Sequence, residues 1–199
     1  MLSEHDEIEA KLVADHVSVN DFKKFMAAYS DMEEFRRIVS PDRYYECGPN
    51  VVRVRGVDND HDRPELTVKK RKSEASTRDR LEIDLRFDKD IKIKDVIAYL
   101  TATGYVPSFT IEKESHIFWI NLTEDVTATF VIYDVWLTGE TKKRRFIEVE
   151  IEKNCDVTVE TAKRHLRAQV KMLQDQFKLA EPLNESLWEI YSGKKYQCL

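Results

Sequence analysis

Two sets of charged side chains recur at a spacing of two residues, and their chemistry suits a metal ion held beside a polyanion. The acids are Glu7 and Glu9 early in the chain and Glu148, Glu150 and Glu152 far along it. On an extended strand, residues i and i+2 leave the same face, so each run brings carboxylates close enough to share a hard cation such as Mg2+ or Mn2+. The bases are Lys11, the pair Arg53 and Arg55, the pair Lys69 and Arg71, and Lys113. Guanidinium groups grip phosphate oxygens bidentately and lysines add point charge, so these cations on facing strands fit a ligand with several phosphates. A cation site beside a polyanion site is what metal-assisted phosphoryl chemistry requires.

Such residues need strands to aim them, and two-residue alternation dominates the chain. In Glu7-Ile8-Glu9-Ala10-Lys11-Leu12 the charges take one face and the aliphatics the other. The pattern returns at 51–55, 66–71 and 82–87, and strands are also predicted over 108–114 with 116–122, over 127–137 and over 145–152. The last two are joined by a hairpin turn containing Gly139. Helical spacing predicts a helix capped by Asn20 or Asp21 and running to about Ile38. A second helix runs from about Ile93 to Thr103 and stops at Gly104, and a third starts near Thr158 and ends before Pro182. The tail from Asn184 carries Leu187, Trp188, Ile190 and Tyr191 and is expected to fold back onto the body. Residues 57–64 read as a polar loop.

Strands with charged and aliphatic faces fit two architectures. One is an antiparallel sheet with its polar side in water and its apolar side under helices. The other is a barrel with apolar faces outward and charges lining a wet tunnel, which requires that those charges be paired or ligated.

Composition narrows the class. With 199 residues, the chain can bury a core as a single domain, residues 1–199, with the segment from about 157 packing on the rest. Its 42% apolar content excludes a disordered acidic chain, although 35% of residues are charged. A net charge of −5 argues against a general nucleic-acid binder or a binder of anionic membranes. Cys47, Cys155 and Cys198 form no CxxC pair, which excludes a disulfide framework and a Cys-rich zinc site and points to a reducing compartment. There is no signal-peptide pattern and no membrane-spanning run, so a cytoplasmic protein is expected. The five histidines have no metal spacing. The Asp58-x-Asp60-x-Asp62 run lacks the glycine and the final glutamate of a calcium loop, with Arg63 and Lys69 in those places. Alternation places Lys69 and Arg71 on one face and Lys70 and Lys72 on the other, so this basic run is not a uniform nucleic-acid patch.

The ordered set of motifs resembles the CYTH superfamily, the triphosphate tunnel metalloenzymes. Glu7-Ile8-Glu9-Ala10-Lys11 is similar to its ExExK signature. Tyr44-Tyr45, Arg53-x-Arg55, Leu66-Thr67-x-Lys69-x-Arg71, Glu82, Gly104-Tyr105, Lys113, Asp134 and Glu148-x-Glu150-x-Glu152 follow in the family's order. The resemblance implies an α+β fold, a closed eight-stranded antiparallel barrel with flanking helices. By the same resemblance Glu7, Glu9, Glu148 and Glu150 would ligate Mg2+ or Mn2+, with Asp134 and Glu152 assisting. Lys11, Arg53, Arg55, Lys69, Arg71 and Lys113 would hold phosphates. Lys11, Arg53 and Arg55 would also serve catalysis, with Glu82 orienting or neutralising a basic group. Two departures stand out: the family's Lys-x-Arg reads Lys113-Glu114-Ser115, and Tyr44-Tyr45 precedes Glu46 where Asp is usual.

The expected activity is metal-dependent hydrolysis of a triphosphate, whether inorganic triphosphate, thiamine triphosphate or a nucleoside triphosphate. The alternatives are a class IV-type adenylate cyclase and a non-catalytic binder of a nucleotide or polyphosphate, the latter motivated by Ser115. The expected partner is a small triphosphate or nucleotide, with no membrane and no general nucleic-acid binding, in a monomer or homodimer.

Overall fold

Because the alternating segments can satisfy their backbone groups only in ladders, they assemble into one sheet, and their apolar faces recruit the helices. The computed structural model describes residues 2–29, 34–48, 50–57, 60–73, 76–88, 90–154 and 156–194; over 2–7, 34–35, 57, 60–62, 69–73 and 76–81 it describes the backbone alone. The strands are β1 (Leu2–Glu7), β2 (Glu9–Val13), β3 (Glu34–Cys47), β4 (Asn50–Val57), β5 (Asp60–Ser73), β6 (Ser76–Arg86), β7 (Val106–Thr123), β8 (Val126–Leu137) and β9 (Arg144–Lys153). The helices are α1 (Val19–Tyr29), α2 (Ile93–Ala102), α3 (Val159–Phe177) and α4 (Leu187–Ser192).

The sheet order is β1-β6-β5-β4-β3-β7-β8-β9-β2, and each described ladder is antiparallel. The edge strands β1 and β2 are halves of one stretch broken at Ile8, so counting that stretch once gives eight strands. The result is an α+β fold in which the sheet curls into a half-barrel. The closed ring expected from the sequence is met only to that extent, since among the described residues no ladder joins β1 to β2.

The aliphatic faces point outward, under helices. Leu12, Phe118, Phe130, Ile132, Ile147 and Val149 pack beneath α1 and α3 through Phe22, Met26, Ala162 and Leu173. Tyr45, Val52 and Val54 pack beneath α2 through Val96 and Leu100. On the inner face a third cluster gathers Tyr44, Ile111, Tyr133, Val135 and Phe146 against Leu187 and Trp188 of α4. Glu46 holds α4 and the residues just after it, accepting from Trp188 Nε1 at 3.2 Å and from Lys194 Nζ at 2.6 Å.

Three expected boundaries change. The first helix ends at Tyr29 rather than near Ile38, and Glu34–Cys47 forms β3, which pairs with β7 from Glu34 opposite Trp119 to Glu46 opposite Val106. Its cap is Ser18, whose hydroxyl accepts from the Asp21 amide at 3.0 Å, rather than Asn20 or Asp21. The expected loop 57–64 is largely strand, because β4 ends at Val57 and β5 begins at Asp60. At the third helix the cap falls where the sequence places it: Thr158 Oγ1 accepts from the Thr161 amide at 3.2 Å. Thr158→Ala should cost about 1 kcal/mol and lower the melting temperature by roughly 3 °C in a thermal scan.

Candidate active site

The strands' inward faces converge on a cavity of about 270 Å³. Lys11 from β2, Arg53 and Arg55 from β4 and Lys113 from β7 supply its cations. Glu9, Glu148 and Glu150, with Glu82 from β6, supply acids. Eight of the residues expected from the sequence therefore meet at one place.

Register explains the acid wall. On the β2–β9 ladder Glu9 lies opposite Glu150 and Lys11 opposite Glu148. Lys11 Nζ is 2.7 Å from Glu148 Oε1 and 3.9 Å from Glu9 Oε1. Lys113 Nζ reaches the other Glu148 oxygen at 3.6 Å and sits 3.8 Å from the centroid of the Tyr133 ring. Burial holds the Lys113 ammonium below the usual lysine pKa, reinforced by Arg55 and opposed by Glu148. The buried Tyr133 phenol is pushed well above 10 by burial and then by the charges of Glu148 and Glu9.

The opposite wall centres on the arginines. Arg55 donates to both oxygens of Asp42, Nε at 2.9 Å and Nη2 at 2.6 Å, and Asp42 is fully buried. Arg53 donates to Thr67 Oγ1 at 2.8 Å and lies 3.8 Å from Glu82 and 3.9 Å from Glu65. Burial lowers the Arg53 pKa, but Asp42 and Glu82 outweigh it and hold the guanidinium firmly charged. The Thr67 hydroxyl in turn donates to Asp84 Oδ1 at 2.6 Å, and the Asp84 pKa is raised by burial and by the neighbouring charge of Glu82.

Asp134 and Glu152 do not join this cluster. Asp134 points to the outer face, where it accepts from Arg145 Nε at 2.7 Å and Nη2 at 2.9 Å. That guanidinium also donates to the Val17 carbonyl at 2.7 Å, so Asp134 anchors the segment leading into α1. Glu152 is exposed and accepts from Thr129 Oγ1 at 3.4 Å. The side chains of Glu7, Lys69 and Arg71 lie outside the described residues; their backbones pair with Arg80, Glu82 and Arg80 respectively. Asp42, Glu65, Tyr133 and Asp84 were missed by sequence reading. Glu65 carried a signal, being two residues before Thr67 and four before Lys69 on one strand face, whereas Asp42 sits in a segment read without strand character.

Three carboxylates on adjacent strands are the hard oxygen donors that Mg2+ or Mn2+ prefers, so the donor chemistry fits such an ion. Among the described residues, however, no group of three acidic, His or Cys side chains is gathered around a single point, and Glu148 is engaged by lysines instead.

No protein-family model and no curated protein matches the chain. Among solved structures, it superposes on the PH1819 protein of Pyrococcus horikoshii OT3 with a TM-score of 0.64 and 19% identity, covering 95% of this chain and 99% of that one. The Pct1 RNA triphosphatase of S. pombe superposes more loosely, with a TM-score of 0.48 and 15% identity over 87% of this chain and 83% of that one. The likeness to PH1819 is one of fold alone. Among the described residues no helix is long and apolar enough to cross a membrane.

Proposed function

We propose that the chain is a divalent-cation-dependent triphosphatase whose curled sheet works as a tunnel around the phosphates. The observation that carries this reading is the convergence of Lys11, Arg53, Arg55 and Lys113 on one cavity whose adjoining wall holds Glu9, Glu148 and Glu150. The tunnel reading is supported at the sheet's edges. The covalent chain links β1 to β2 through Ile8, and the Ile8 carbonyl accepts from the Ile151 amide of β9 at 2.9 Å.

In this reading Lys11, Arg53, Arg55 and Lys113 exchange their carboxylate partners for phosphate oxygens and spread the charge that develops on them. Asp42 and Glu82 hold Arg55 and Arg53 in position for that exchange. Glu9, Glu148 and Glu150, with Glu7 as the family resemblance implies, would hold Mg2+ or Mn2+, which would supply further neutralisation of the phosphate charge. Water attacks the terminal phosphorus in line. A P–O bond to water forms as a tunnel carboxylate takes the water's proton, the bridging P–O bond breaks with its electron pair going to the departing diphosphate, and the attacked phosphorus ends as orthophosphate.

A second reading, a binder without turnover, is favoured by Ser115 at the position where the family carries arginine. The test is to incubate the protein with inorganic triphosphate, thiamine triphosphate, ATP and GTP plus Mg2+ or Mn2+, and to follow products by phosphorus NMR. Orthophosphate supports the triphosphatase. Pyrophosphate with a cyclic nucleotide supports the cyclase, and saturable binding without product supports the binder. Because Ser115 is buried and lines the cavity, Ser115→Arg should add a charged contact and tighten inorganic triphosphate about tenfold in a calorimetric titration. Unchanged affinity would place this position outside phosphate reach.

A further inference from the structure

One stretch of the cavity wall carries no charge. Ile38, Ser115, Ile117 and Val131 face the cavity there. Ile38 lies opposite Ser115 on the β3–β7 ladder, and Ile117 opposite Val131 on the β7–β8 ladder. This shelf adjoins the ionic part directly, because Ser115 is two residues from Lys113 and Val131 lies opposite Glu148. Its aliphatic side chains are half-buried, and of the three only Val131 packs against the inner-face cluster that α4 helps to cover.

A phosphate chain gains nothing from such a wall, since oxygens set against isoleucine lose water and find no donor. An organic group gains from it in proportion to the apolar surface it covers. The same strand face continues to Trp119, whose ring lies 5.3 Å from the Arg36 guanidinium. A flat ring with a cation on it extends the shelf with a surface suited to an aromatic or heterocyclic group.

We infer that the substrate is an organic triphosphate ester rather than inorganic triphosphate. This rests on the reading of the cavity as a triphosphate site. The phosphates lie on the cations, and the organic group covers Ile38, Ile117 and Val131 and extends toward Trp119. These three aliphatic residues set the specificity between the two substrate classes.

Calorimetric titration of the full chain with Mg2+ and, in turn, inorganic triphosphate, ATP and thiamine triphosphate tests this. At least one ester should bind about tenfold more tightly than inorganic triphosphate. Ile117→Ser should erase most of that preference by weakening the ester alone, and its unchanged affinity for inorganic triphosphate shows that the variant is folded. Ile38→Ser should behave alike. Equal affinities for esters and inorganic triphosphate in the wild type overturn this inference and leave the triphosphate site standing. So does an equal loss for both ligands in both variants. Binding of none of the three overturns the inference together with the site.

Discussion

Glu148→Gln is expected to lower cation-dependent triphosphate turnover about a hundredfold to a thousandfold, the range seen when one preorganised electrostatic group is removed from a site. The substitution keeps the side chain's volume and deletes its charge, so it isolates electrostatics from packing. Glu148 stands between Lys11 at 2.7 Å and Lys113 at 3.6 Å, and across the ladder from Val131. With glutamine there, Lys113 loses the Glu148 charge and Lys11 keeps only the more distant Glu9 at 3.9 Å, so both ammonium groups become better anion hooks. Binding of free triphosphate should hold or tighten while turnover falls, and the concentration of Mg2+ needed for half-maximal rate should rise. Phosphate-release kinetics over a Mg2+ series measure all three. Full activity with an unchanged cation requirement would remove Glu148 from the metal site.

Asp42→Ala is expected to produce the largest loss of stability. Its carboxylate is fully buried and held by both Nε and Nη2 of Arg55, so alanine leaves a guanidinium without its counter-charge. Breaking a buried pair in this way costs about 3–5 kcal/mol. For a chain of this size that lowers the melting temperature by roughly 10 °C. Acid titration gives the second signature. Burial pushes the Asp42 carboxyl up, but Arg55 and then Arg53 outweigh it, and its pKa lies below the ordinary carboxylate value. A carboxylate with a depressed pKa in the fold stabilises it above the unfolded value of about 3.9 and loses that contribution as pH falls through the folded value. Urea melts should therefore show the full gap between wild type and variant at pH 7 and a shrinking gap below about pH 4. A gap that stayed constant into acid would mean that the loss comes from packing and not from the ion pair.

The site was legible wherever one strand face is charged and the other aliphatic. Glu9 and Lys11, Arg53 and Arg55, and Glu148 and Glu150 alternate with buried aliphatics, so alternation alone fixes which way they point. Residues 127–137 lack that contrast. Both faces of β8 are largely apolar, because one packs under helices and the other meets the inner cluster, and nothing in the sequence separates Asp134 from Tyr133 as the inward residue. Burial by α4 on the inner face is what erased the signal. The β3 strand was hidden differently. Phe22, Phe25, Met26 and Tyr29 set a helical rhythm, and Pro41 discourages a strand reading. The proline is tolerated because β3 is paired there with β7 alone, its pairing to β4 beginning at Arg43. Asp42 was lost along with the strand.

The break at Ile8 bears on how the chain reaches its final form. β2 pairs with β9, and beside that ladder the Arg145 amide donates to Asp15, 130 residues away in sequence. Contacts between such distant segments close late, because a long loop must be ordered before they contribute. During synthesis β2 therefore waits for β9 to emerge, with the aliphatic faces of Ala10 and Leu12 uncovered until then. The seam that unites Glu9, Lys11, Glu148 and Glu150 is thus the last part of the architecture to be completed. Catalytic competence should appear in refolding only after most of the secondary structure has returned.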